Sequence, residues 1–558
     1  MKKYRYSLGE MLVRLLKIAL PIRSYLIVST LASVIGNLSH MGLMAFGAAA
    51  LLKAAGIMEG SVLYSFIMAL VCAMAIGVCR YLEGVYSHIG AYGLLAGMRV
   101  SLFEKLDRVA PAYLIDRKKG DIISIAVSDI ETLEHFFAHT IGPMFTVILL
   151  PLTTLLLAGH YHPYYVLVLI PVFLLVSVVI PLLALRSGRN FGARQRSALG
   201  ELSSLILESV YGIKDIQIFS QGEKRKDLVL KQSDVLSKAS HALLLHQQAV
   251  TSVPNFFVYL GRMLILAVSA YLLSKGSGDV AGAVIVSFAA VASFSSTFSL
   301  TFVVTHLLEA FAAAERIFII EDTTPEVNEP EDPIKIQSAD GIVFEDVSFH
   351  YPHSDRKILD HLDLKIEKGQ TIGIIGESGI GKSTILRLLL RFYEMNEGNI
   401  FISDTDIRRI PLKILHQKIK MLEQETYLFD TSIYENIAMG RPGASLDEVK
   451  QAAKRAGIAG FIDTLEEGYD TQMGQMSSRL SGGERQRIGI ARILLADPDV
   501  IVMDEPTSSL DVLHEKEFLQ TLENEYKDKT IIIVSHRMST LSNCETIYKL
   551  ENGKLIKI

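Results

Sequence analysis

Residues Gly376-Glu-Ser-Gly-Ile-Gly-Lys-Ser383 fit the spacing G-x-x-x-x-G-K-[ST]. Such a loop holds a chain of phosphates. Its glycines, Gly376, Gly379 and Gly381, let the backbone N–H groups around Glu377, Ser378, Ile380 and Thr384 approach phosphate oxygens closely. The helix that must follow adds partial positive charge at its N-terminus. Lys382 would reach the β- and γ-phosphates, and Ser383 would ligate Mg²⁺. Further along, Asp504-Glu505 end an apolar run. Asp504 fits a carboxylate that holds Mg²⁺ through water. Glu505 fits a general base that polarises the attacking water. The carboxylate pair alone could be structural, but with the phosphate loop in the same chain it points to nucleotide hydrolysis.

These residues need a scaffold that brings strand ends together. Apolar runs predict strands over Ile342–Phe349, Leu362–Ile366, Thr371–Ile375 and Asp499–Met503, and a helix over Ser383–Phe392. The acidic, proline-containing stretch 321–340 has no apolar period and reads as a linker. The expected organisation is therefore a helical membrane domain over 1–320, a linker over 321–340 and an α/β phosphate-loop domain over 341–558. Composition agrees: the 558 residues are 50% hydrophobic yet 21% charged, and the two properties separate along the chain. A net charge of −5 gives no reason to expect nucleic acid as a partner. Cys72 and Cys79 lie on one apolar segment, roughly 10 Å apart as a helix, too far to bridge, and no zinc or disulfide pattern is readable. The basic, amphipathic N-terminus lacks the features of a removable signal peptide.

Six apolar stretches, near 22–50, 61–86, 138–159, 163–185, 250–274 and 280–308, are long enough to cross a bilayer as helices. The connections after the second and fourth are long and basic. They carry Arg99, Lys105, Arg108, Arg117, Lys118 and Lys119, and then Arg186, Arg189, Arg194, Arg196, Lys214, Lys224, Arg225 and Lys226. Lys53 and Lys275 are the main basic residues of the short connections. The excess of Lys and Arg places the N-terminus, the long connections and the second half in the cytoplasm. The long connections read as helical extensions of the spans with turns at Leu114–Ile122 and Tyr211–Phe219, candidates to touch the phosphate-loop half. Tyr64, Tyr161, Tyr164 and Tyr165 fit interface positions.

Leu480-Ser481-Gly482-Gly483-Glu484 resembles the signature motif of ATP-binding-cassette (ABC) proteins. Other elements of that family stand in order. Tyr351 resembles the aromatic that stacks on adenine, and Gln424 the glutamine that senses Mg²⁺ and the membrane half. Asp511, in Ser509-Leu510-Asp511, resembles the dimer-contact loop, and His536 the switch histidine at the γ-phosphate. The resemblance implies ATP and Mg²⁺ as cofactors. It implies catalysis by Glu505, His536 and Gln424, metal binding by Ser383, Gln424 and Asp504, and ATP contacts by Ser481, Gly482 and Gly483 across a dimer with a second half-transporter. Two departures stand out: Gln475 and Ser477 where exporters commonly have Glu and Gly, and Glu484 where Gln is commoner.

Membrane domain first and nucleotide domain last resembles exporter-type half-transporters over nearly the whole chain. Within them, Arg80-Tyr-Leu-Glu83-Gly-Val-Tyr-Ser87-His88, Gly120-Asp121, Ser128-Asp129, Glu131-Thr-Leu-Glu-His135 and Pro143 are similar to the C subunit of CydDC-type exporters, tied to cytochrome bd assembly. That likeness implies a D-type partner subunit, a bacterial cytoplasmic membrane, and haem or a small thiol as cargo. Arg80, Glu83 and Ser87 share a helical face at the cytoplasmic end of the second span, with His88 on an adjacent stripe. Ionisable residues there mark a solute pathway, and His88 could ligate haem iron. The plain alternative is an Arg80–Glu83 ion pair and an interfacial histidine. His40, His139, His160, His162 and His306 read as incidental. Competing functions are a siderophore or metal-chelate importer, a multidrug exporter, and an ATP-gated channel or regulator. Intact Glu505 and His536 count against the last.

Overall fold

The computed structural model describes residues 6–115, 119–352, 354, 356–474, 480–508, 512–526 and 528–558. The chain divides into two compact units, Met1–Asp107 with Arg117–Thr323, and Arg108–Asp116 with Thr324–Ile558.

The first unit is helical. A short amphipathic helix, Leu8–Ile18, starts at a capping box in which Ser7 Oγ accepts from Glu10 N and the Glu10 carboxylate accepts from Ser7 N. On its next turn Arg14 donates to both Glu321 and Asp322 and lies 4.0 Å over the Phe318 ring. Among the described residues, five helical segments are long and apolar enough to cross a membrane: Leu20–Ala54, Val62–Val109, Gly120–Tyr161, Pro163–Ala184 and Gly222–Ser274. They cover the first five expected spans to within one residue at each end. The expected stretch 280–308 falls on the helix Val280–Glu321, whose described apolar part, Val280–Phe294, is shorter than a span. Val62–Val109 has 48 residues and Gly222–Ser274 has 53. At 1.5 Å per residue these are about 72 and 80 Å long, more than twice the hydrocarbon thickness. Arg99, Lys105 and Arg108 in the first basic connection, and Lys224, Arg225 and Lys226 in the second, thus stand on continuations of the spans, as expected, while Arg117 and Lys118 lie outside the described residues.

Helix starts follow local chemistry. His162 caps the helix at Pro163 by accepting from Tyr164 N, and Asp279 accepts from Ala281 N and Gly282 N. Pro151, Pro171 and Pro254 lie inside helices, which neighbouring helices make tolerable in lipid. Helices meet where small residues allow it: a Cβ on Gly282 would stand 2.5 Å from the Tyr161 ring.

The second unit holds two sheets. One is antiparallel, in the order β2-β1-β4-β5, from β1 (Gly341–Phe349), β2 (Leu359–Glu367), β4 (Glu397–Ile402) and β5 (Thr405–Asp406). The other runs β10-β9-β3-β8-β7-β6, from β3 (Thr371–Ile375), β6 (Ile419–Leu422), β7 (Val500–Asp504), β8 (Thr530–Ser535), β9 (Thr546–Glu551) and β10 (Lys554–Lys557). Only β10 is antiparallel to its neighbour. Strand alternation feeds two cores. Val500, Val502, Ile532 and Val534 enter one with Ile372 and Ile374, whereas Ile501, Met503, Ile531 and Ile533 enter the other. A parallel sheet covered on both faces reads as continuous apolar runs, which is why β3 and β7 were legible in the sequence. The phosphate-loop helix is shorter than expected, Lys382–Leu389. It stops because Arg391 turns to φ +51 and buries its guanidinium on the carbonyls of Asn328, Ile407 and Ile410.

Candidate nucleotide-hydrolysis site

The strand order puts three chain reversals side by side. β8 lies between β3 and β7, with Ile375 opposite Ser535 and Asp504 opposite Val534. The phosphate loop, His536 and Asp504-Glu505 therefore leave the sheet at one edge, where open α/β sheets bind ligands.

The loop is shaped for a phosphate chain. Gly379 and Gly381 take φ +77 and +119, and a Cβ on Gly381 would stand 2.5 Å from the Ile358 side chain. Lys382 is 5% exposed, and its Nζ donates to the carbonyls of Gly376 and Glu377 at 2.9 Å each. A Glu505 oxygen lies 3.9 Å from that ammonium. The other Glu505 oxygen lies 3.2 Å from His536 Nδ1. Glu505 sits at φ +45 with its N–H held by Val534 O at 2.8 Å. A left-handed glutamate at the head of a strand is the kind of backbone strain that functional sites retain.

Asp504 lies near enough to the Ser383 hydroxyl for that group to pull its carboxyl down. Burial pushes its carboxyl above the ordinary 3.8, and the charge of Glu505 pushes the same way against the lowering by Ser383, Arg387 and Lys382. A half-buried carboxylate next to a serine hydroxyl is a donor set that fits Mg²⁺. The raised value fixes a sign. The folded protein binds this proton more tightly than the unfolded chain, so ionising Asp504 costs stability as pH rises above 3.8. Asp504→Asn should therefore melt higher than wild type at neutral pH without nucleotide, with the gap closing as pH approaches 3.8, while hydrolysis is lost. A gap that does not change with pH in thermal melts would refute burial as its cause.

Tyr351 is tied to the same helix. Its hydroxyl pairs with Thr384 Oγ1 at 2.9 Å and accepts from Arg387 at 3.0 Å, and Phe349 and Tyr393 meet its ring edge-on. Gln424 is exposed, with its carbonyl accepting from Gln486 Nε2 at 2.9 Å. Among the described residues no hydrogen bond joins it to Ser383 or Asp504. Ser481 caps the helix Gly482–Ala496, and Glu484 completes a capping box with it: Ser481 N donates to Glu484 at 2.7 Å and Ser481 Oγ accepts from Glu484 N at 3.2 Å. The unusual Glu484 thus serves the helix start on which Ser481, Gly482 and Gly483 sit. Asp511, Gln475 and Ser477 lie outside the described residues.

In the membrane domain, Arg80 pairs with Glu83 at 2.8 Å and donates to Asn37 Oδ1 at 3.1 Å. His88 Nδ1 lies 3.0 Å from Glu134 Oε1, and His139 meets the His88 ring edge-on at 5.0 Å. Sequence reasoning set His139 aside and did not single out Glu134. It also missed Glu515, whose carboxylate accepts from Thr507, Ser539 and Thr540. Its spacing held a signal: Glu515 stands three and seven residues before Phe518 and Leu522, on a helical stripe that is otherwise apolar and buried. All three cysteines are free, as their spacing required.

Comparison with known proteins agrees with this geometry. Residues 13–297 match the ABC transporter transmembrane region and residues 359–508 match the ABC transporter domain. A probable ABC transporter ATP-binding/permease protein of Haemophilus influenzae is 34% identical over 97% of this chain and 98% of its own length. The glutathione/L-cysteine transport system ATP-binding/permease protein CydC of Escherichia coli is 27% identical over 86% of this chain and 83% of its own. The fold is similar to that of a bacterial Atm1-family ABC exporter with ATP bound (TM-score 0.83, 24% identity, 96% of this chain and 94% of that one). With a membrane-domain match over half its length and a relative this similar end to end, the chain belongs to the ABC transporter family, as an integral membrane protein of exporter type whose ABC domain couples ATP hydrolysis to transport.

Proposed function

We propose that the chain is one half of a two-subunit transporter of the bacterial cytoplasmic membrane, with six spans, that exports a small thiol compound by alternating access. The observation that carries the ATP-driven part is the convergence of Lys382, Glu505 and His536, at 3.9 and 3.2 Å, beside the Ser383–Asp504 pair. Lys382 and the N–H groups of 377–384 hold the β- and γ-phosphates. Ser383, Asp504 and, through its side chain, Gln424 would hold Mg²⁺, which would neutralise charge on the phosphates. Glu505 takes a proton from the attacking water, and His536 orients Glu505 and faces the γ-phosphate. Tyr351 meets adenine. Ser481, Gly482, Gly483 and Asp511 serve the nucleotide across a dimer, so the chain needs a second half-transporter, which we take to be a D-type subunit.

The thiol reading rests on the glutathione/L-cysteine transport named for the CydC relative. Haem is the second reading: an imidazole whose Nδ1 faces a carboxylate, as in the His88–Glu134 pair, presents Nε2 for a metal bond. Arg80 and Glu83 would sit on the same entry face for the cargo. Inside-out vesicles holding the complex with its partner should accumulate labelled glutathione or cysteine with ATP, and not with the Glu505→Gln complex. ATP-dependent uptake of haem but not of either thiol would replace the first reading by the second. Uptake of none of them with hydrolysis intact would sink both.

A further inference from the structure

We propose that His88, Glu134 and His139 form a binding site for a divalent transition-metal ion within the membrane domain. One ligand atom from each of the three lies within 4.8 Å of the others. His88 belongs to the helix Val62–Val109, whereas Glu134 and His139 belong to the helix Ile130–His139. The residues His88 and Glu134 are 46 apart in sequence, so the fold and not local helix geometry gathers them. One edge of the set is already closed, with His88 Nδ1 and Glu134 Oε1 3.0 Å apart. Four-coordinate zinc with nitrogen and oxygen ligands at about 2.0–2.1 Å sets neighbouring ligand atoms roughly 3.4 Å apart. Side-chain rotations of the order of an ångström would seat all three on one ion, with no movement of the helices.

The chemistry selects the ion. Two imidazoles and one carboxylate suit zinc, iron, cobalt or nickel, whereas Mg²⁺ and Ca²⁺ prefer all-oxygen shells. Three protein ligands leave a coordination position open. The electrostatics ask for a cation: the Glu134 side chain is 14% exposed, and among the described residues its ion-pair partner is His88, which carries charge only when protonated. A carboxylate in a spanning domain is costly without a counter-charge, and a bound dication supplies one. The proposal does not depend on which cargo is exported, since it concerns the ion alone.

The test uses the full chain in lipid nanodiscs, titrated with Zn²⁺ by calorimetry and with Co²⁺ by its visible absorption. Wild type should bind one ion per chain. Glu134→Gln and His139→Ala should each weaken binding by about 100-fold or more, the upper end of what loss of even an outer-shell partner costs. His139→Cys should restore binding and add a thiolate-to-Co²⁺ charge-transfer band, which appears only if position 139 touches the metal. That restored binding also separates ligation from a folding defect in the alanine variant. Wild-type affinity in either Glu134→Gln or His139→Ala, or no charge-transfer band with His139→Cys, overturns the site. So does haem binding that depends on His88 in a chain that takes up neither ion.

Discussion

Glu505→Gln should keep ATP and lose turnover. The replacement is nearly isosteric and still offers an oxygen to His536 Nδ1, 3.2 Å from the present carboxylate. The N–H of residue 505 stays on Val534 O, so the left-handed turn at φ +45 has no new reason to relax. What disappears is basicity and one negative charge. Loss of a positioned general base typically costs about 10²–10⁴-fold in rate. Loss of the charge 3.9 Å from Lys382 leaves that buried ammonium wholly available to a triphosphate. Nucleotide affinity should therefore hold or rise while kcat collapses, and complexes should accumulate with ATP uncleaved. The measurement is single-turnover hydrolysis beside ATP binding, in a complex where this is the only intact site. A rate within about tenfold of wild type would remove Glu505 as the base.

Much of this site was legible because its residues follow strand ends. The runs that became β3 and β7 are mostly apolar, so their ends were sharp, and the phosphate loop and Asp504-Glu505 lie where those runs stop. Lys382, Asp504 and Glu505 could be placed together without knowing the strand order, whereas His536 came from the resemblance to ABC proteins and the strand before it was not predicted. The role of Glu484 was missed although a local signal for it existed. The residue looked like a departure from a family pattern, yet Ser-x-x-Glu is a local capping signature that sequence alone supports. The membrane domain was read through length and charge, which place spans but not their neighbours. That is why His139 looked incidental: its approach to His88 depends on how two helices pack, and no local period encodes it. The early end of the phosphate-loop helix has the same origin, since Arg391 leaves the helix for carbonyls far away in sequence.

Glu515→Ala should unfold the nucleotide domain more readily and slow whatever hydrolysis remains. Glu515 stands in the helix Val512–Glu525 with its side chain 9% exposed. It accepts from Thr507, two residues after Glu505, at 3.0 Å, and from Ser539 and Thr540, just beyond His536, at 3.1 and 2.8 Å. One carboxylate thus joins the loop behind the proposed base to the loop behind the proposed switch histidine. Burial by itself would raise its pKa. The hydroxyls of Thr540, Thr507 and Ser539, with Arg537 nearby, outweigh burial and hold it below the ordinary 4.5. A depressed carboxyl stabilises the fold above its unfolded pKa, and that stabilisation is lost as pH falls through the folded value. Hydrogen bonds to a charged group contribute about 1.5–3 kcal/mol each and do not add fully, so truncation should cost about 3 kcal/mol or more. Glu515→Gln keeps the shape and one acceptor oxygen, so it should recover part of that loss. Its remaining deficit should shrink as pH falls below 4.5, where the wild-type carboxylate is itself being protonated. If Glu515 positions both loops, both variants should lose kcat more than they raise KM, with Glu515→Gln the milder. Wild-type melting in Glu515→Ala, or a deficit in Glu515→Gln that is the same at every pH, would show that the three hydroxyls do not depend on this charge.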